Sequence, residues 1–176
     1  PRAVAVGLAL HARPDQVGIA ASLDASVSHA SRRATEAGAA FASMVAAVVS
    51  RPEDASLTDA VRRVVASLDD SDIRTALTEM MAGKAKFATH FSPEATASVK
   101  LALWCQQFGP ELADILHAAA TISNGDRATL TIAGAIHGAN VGLGRLPDRH
   151  LDVEGSQALG VLARRLASGP AATASG

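Results

Sequence analysis

Residues 121–151 read TISNGDRATLTIAGAIHGANVGLGRLPDRHL. Asn124, Gly125 and Asp126 lead into a long run of small and apolar residues. From about Ala128 to Leu143 that run has helical rather than alternating character. It is apolar almost all round, which predicts a helix at the centre of a helical fold. Glycines fall at 134, 138 and 142. His137 and Asn140 interrupt the segment, so the glycines are read as points of close helix–helix approach in a core, not as a membrane dimer face.

Working outward, the chain reads as helix after helix. Pro14-Asp15 opens one through about Val27, and Ser31 starts the next, with Ala34, Ala37, Phe41, Met44, Val45 and Val48 on one stripe. Leu57, Val61, Val64, Val65 and Leu68 repeat at helical spacing, and Ser71 or Asp72 starts a helix holding Ile73, Leu77, Met80 and Met81. Residues 83–92 read as a loop. Pro93-Glu94 and Pro110-Glu111 open two further helices, and a last one covers roughly 155–167. One all-α domain over 1–167 results, with 168–176 (SGPAATASG) as a disordered tail.

Composition agrees. Hydrophobic residues make up 48% of the 176 and aromatic residues 3%, which suits close-packed helices and disfavours a β-sandwich. Sixteen basic against seventeen acidic residues leave no basic face for nucleic acid. No apolar run reaches about 18 residues, so no membrane span is expected. The opening PRAVAVGLAL has too short an apolar run, and no cleavage site, for a signal peptide. The single Cys105 rules out an intramolecular disulfide and fits a reducing, cytoplasmic setting.

Candidate chemistry centres on Asp126 and Thr129. A carboxylate and a hydroxyl three residues apart at a helix N-terminus can turn toward one point and offer oxygen ligands to Mg²⁺. The same spacing serves a helix cap, and spacing alone leaves both readings open. His29, in VSHAS between two helices, stands where a ligand could be met. His90 and Phe91 form a loop pair able to line a pocket and stack on a base, or a plain surface loop. His117 and His137 lie in apolar helices and read as interior or edge residues, and Cys105 beside Trp104 reads as a buried thiol. Asp69, Asp70 and Asp72 read as a solvated helix start.

The opening stretch resembles the C-terminal signature of the ADP-ribosylglycohydrolase family: Gly-Gly-Asp-Thr-Asp-Thr, then Ala-Ile-Ala-Gly-Ala-x-x-Gly-Ala, then a proline turn. Gly125, Asp126 and Thr129 match the first part, 132–135 with Gly138-Ala139 the second, and Leu146-Pro147 with Leu151 the third. Upstream, Val27-Ser28-His29 is similar to the family's Leu-Thr-His segment, 102–105 to its Ala-Leu-Trp helix, and 2–8 to the segment after its phosphate loop.

The resemblance implies an all-α, multi-helix orthogonal bundle around two Mg²⁺ ions. It implies hydrolysis of the bond between ADP-ribose and a protein side chain or small molecule, so that ADP-ribose or an ADP-ribosylated protein is the expected partner. It makes Asp126 and Thr129 metal ligands, sets His29 near the substrate phosphates, and places His90 and Phe91 toward the adenosine end. The departures are equally specific. Ala128 stands where the second aspartate belongs, Arg127 adds a positive charge, and no Gly-Asp-x-x-Gly, Thr-Asp-Asp or phosphate loop occurs. The expectation is a family fold lacking its N-terminal part, with a degenerate metal site and little or no hydrolysis. The alternative is a non-enzymatic helical module whose open apolar face is covered by a partner.

Overall fold

The computed structural model describes residues 2–69, 71–84, 91–92 and 94–168. Among these every regular element is helical: α1 (Ala3–Ala9), α2 (Pro14–Ser26), α3 (Arg32–Val49), α4 (Leu57–Ser67), α5 (Asp72–Met81), α6 (Ala95–Cys105), α7 (Leu112–Ser123), α8 (Arg127–Val141), α9 (Asp148–Leu151) and α10 (Ser156–Ala167). A 3₁₀ turn, Leu143–Arg145, joins α8 to α9. No described helix is long and apolar enough to cross a membrane.

Helix α3 organises the fold. Alanines at 37, 40, 42 and 46 let neighbours approach, while Phe41, Met44, Val45 and Val48 fill the space between them. Helices α1, α2, α4, α5, α6 and α8 all pack against it. Helix α8, expected at the centre, is instead flanked by α3, α6 and α7, with Thr129, Ile132, Ala133, Ile136 and His137 buried. Leu130, Gly134, Ala135 and Gly138 stay half-exposed. Small residues make a helix read as apolar all round without giving it enough side chain to bury all round.

The glycine expectation is corrected for the same reason. A Cβ at Gly138 or Gly142 would meet nothing within 4 Å, and one at Gly134 would make only an ordinary 3.9 Å contact with Leu116. Close approach occurs at Gly7, where a Cβ would lie 2.5 Å from the Ala42 carbonyl oxygen and 2.9 Å from Val45 Cβ.

Local capping explains most of the boundaries. Ser56 and Ser71 accept the N–H groups of Asp59 and Arg74. Ser31 occupies the α3 N-cap without a side-chain bond. Asp72 lies in the first turn of α5 and pairs with Arg33 at 2.6 Å, whereas Asp70 lies outside the described residues. Helix α1 has no cap signal, and the sequence pattern places the first helix only at Pro14. Its packing on α3, closest at Gly7, together with contacts to α2 and α10, is what holds it. Ser168 belongs to the end of α10, where its hydroxyl donates to the Arg164 carbonyl at 2.8 Å, and 169–176 lie outside the described residues.

Arg51, just past α3, donates to three backbone carbonyls: Val48 at 2.9 Å, Ala55 at 3.1 Å and Asn140 at 2.8 Å. One guanidinium thus closes α3, fixes the loop after it and ties both to the end of α8. Helices α6 and α8 run parallel and in register. Ser98 meets Asp126 near their N-termini, and Gln106 Nε2 meets the Ala133 carbonyl eight and seven residues further along, respectively.

Candidate functional site

The N-terminus of α8 gathers the residues that carry the chemistry. Helix α7 ends at Asn124 in the left-handed conformation (φ 53°), and Gly125 follows at φ 76°. These two residues reverse the chain and set Asp126 at the N-cap of α8. The Asp126 N–H is itself held by Ser123 Oγ at 3.1 Å.

Asp126 Oδ2 then accepts three hydrogen bonds. Thr129 donates its N–H at 2.8 Å and its hydroxyl at 2.7 Å, and Ser98 donates its hydroxyl from α6 at 3.3 Å. Burial pushes this carboxyl up, but the bonds from Thr129, Ser98 and the Ala128 N–H outweigh burial and hold it below the usual carboxylate value. Asp126 is therefore ionised and charge-assisted in each of these bonds. Ser98 carries no signal in the sequence: it lies 28 residues upstream and joins the site only through the register of α6 on α8.

These residues do not fit a two-magnesium centre. A Mg²⁺ ion needs near-octahedral oxygen coordination. Asp126 is a single carboxylate with one oxygen already taken by three donors. Thr129 is 0% exposed, and its proton points at Asp126. Ala128 offers a methyl group, and Arg127 stands exposed on the same turn. Among the described residues no three His, Cys, Asp or Glu side chains gather.

The remaining sequence-picked residues lie elsewhere. His29 is exposed between α2 and α3, its Nδ1 2.8 Å from Ser28 Oγ. Ser28 Oγ also accepts from Arg2 Nη2 at 3.0 Å, and Arg2 pairs with Asp24 at 3.3 Å. The result is an exposed chain of Arg2, Ser28 and His29, of which the sequence singles out only the histidine. Phe91 is half-buried and packs on the core. His90 lies outside the described residues. His117 is exposed on α7, while His137 is buried on α8. Cys105 is fully buried, and that burial pushes its thiol up to about 11, so it is inert at neutral pH.

A family model described as ADP-ribosylglycohydrolase matches residues 1–175. No curated protein and no solved structure matches the chain. The match spans nearly every residue, and the helical architecture agrees with it: the chain belongs to the ADP-ribosylglycohydrolase family.

Proposed function

We propose that this chain is an ADP-ribosylglycohydrolase-like protein whose 176 residues by themselves hold no dimagnesium centre and hydrolyse no ADP-ribosyl bond. One observation carries the reading. The Asp126–Thr129 pair is closed on itself, with Oδ2 accepting both Thr129 donors and the Ser98 hydroxyl. Together with Ala128 and Arg127, that arrangement serves the start of α8 and leaves one carboxylate oxygen for a cation.

ADP-ribose, free or protein-linked, remains the ligand class. The exposed Arg2–Ser28–His29 chain supports it, because a guanidinium, a hydroxyl and an imidazole together suit phosphate oxygens. The free, buried Cys105 suits a reducing cytoplasm.

The test is calorimetric titration with Mg²⁺ and with ADP-ribose, alongside turnover of ADP-ribosylated arginine and serine peptides. The expected result is no Mg²⁺-dependent release of ADP-ribose, and a Mg²⁺ affinity that Asp126→Asn leaves unchanged. Metal-dependent turnover by the purified chain overturns the reading.

A further inference from the structure

Helices α2 and α4 both pack on α3, but scarcely on each other. The gap between them is a half-open cavity of about 330 Å³, at the small end of ligand-sized pockets. Its floor is apolar, with Val17, Ala46 and Val64 all buried. Its polar wall is formed by His11, Ser43, Ser50, Arg63 and Ser67. The cavity shares no residue with the Asp126 cluster or the His29 chain, so a ligand held there is independent of the proposed function.

The polar groups divide into two kinds. Ser50 donates its hydroxyl to the His11 carbonyl at 2.9 Å, Ser67 donates to the Val64 carbonyl at 2.8 Å, and His11 Nδ1 lies 2.8 Å from the Leu8 carbonyl. Those donors are spent on the protein. Arg63 pairs with no carboxylate and Ser43 donates to no protein group among the described residues. Among the described residues no carboxylate lines this cavity, while Asp15, Glu36 and Asp69 line the adjoining one, which shares Pro14, Ser43 and Ser67 with it.

We propose that this cavity is a binding site for a small organic monocarboxylate with a short apolar body. The body fills the Val17, Ala46 and Val64 floor. Arg63 takes the carboxylate in the fork geometry that guanidinium and carboxylate share, and the Ser43 hydroxyl donates a further bond. One guanidinium matches one negative charge, which selects a monoanion.

The test is titration of the ¹⁵N-labelled chain with hexanoate and with its neutral analogue hexanamide, read as amide shift changes. Hexanoate is expected to move Ser43, Ala46, Ala47 and Arg63 and to bind roughly tenfold tighter than hexanamide. Arg63→Met, at an exposed position that leaves the fold intact, is expected to erase that preference while weak binding of both probes persists. Ala47→Leu narrows the cavity and is expected to abolish both. Equal binding of acid and amide to the unmodified chain overturns the proposal, as does an unchanged preference in Arg63→Met or shift changes confined to other residues.

Discussion

Thr129 and Asp126 satisfy each other completely on one side: a fully buried hydroxyl and its own N–H both end on Oδ2, at 2.7 and 2.8 Å. Such a pair is structural as it stands. Asp126→Ala removes the cap of α8, worth about 1 kcal/mol, and strands a buried hydroxyl, worth about 1–3 kcal/mol more. The expected loss is about 2–4 kcal/mol by urea denaturation. Asp126→Asn keeps an accepting oxygen and is expected to lose less than half of that. Equal losses in the two variants contradict a capping role.

How much of this is legible in the sequence depends on the range over which each feature is decided. Pro14, Ser71 and Asp126 announce helix starts because a cap acts within one turn of its own residue. The seven residues of α1 announce no helix start, since their support is tertiary, including Ala42 and Val45 more than thirty residues away. Asp126 and Thr129 are visible as a pair. Whether they cap or coordinate is not, because the deciding third group, Ser98, arrives by tertiary register alone. The glycines of α8 mislead for the opposite reason: a missing side chain permits close approach without requiring it, and only packing shows which glycine is pressed.

Gly7 and Gly38 test that distinction directly. At Gly7 a methyl group would press on the Ala42 carbonyl oxygen, which cannot yield without moving α3. Gly7→Ala gains about 1 kcal/mol of helix propensity but overpacks the contact by about 1–3 kcal/mol, so a net loss in thermal stability is expected. At Gly38 the added methyl would make an ordinary 3.5 Å contact with Ala25 Cβ. Gly38→Ala is expected to be neutral or to stabilise by up to about 1 kcal/mol. Two scanning-calorimetry melts decide it, and the reverse order would contradict the packing of α1 on α3.

Arg51 holds carbonyls of Val48, Ala55 and Asn140 at once. Lysine carries the same charge but lacks the planar fork that reaches several acceptors together. Arg51→Lys is therefore expected to recover little of the stability lost in Arg51→Ala, itself about 2–3 kcal/mol. Hydrogen exchange should localise the change, with faster exchange at the C-terminal turns of α3 and α8 and little change in α7. Full rescue by lysine would reduce the role of Arg51 to charge alone.

His137 supplies the pH dependence. It is 4% exposed on α8, and burial lowers its pKa below the ordinary histidine value, with Glu111 pulling weakly the other way. The folded chain thus binds this proton less readily than the unfolded chain. Stability is full above the unfolded value of about 6.5 and declines as pH falls below it, by at most about 1.4 kcal/mol per pH unit for one proton. The lowered carboxyls of Asp59 and Asp126 act only in more acid solution, since their stabilisation is lost as pH falls below about 4. Urea midpoints between about pH 5 and 8 therefore isolate the histidine. His137→Gln is expected to flatten the decline between about pH 7 and 5, and an unchanged slope in that variant would show that the proton is taken up elsewhere.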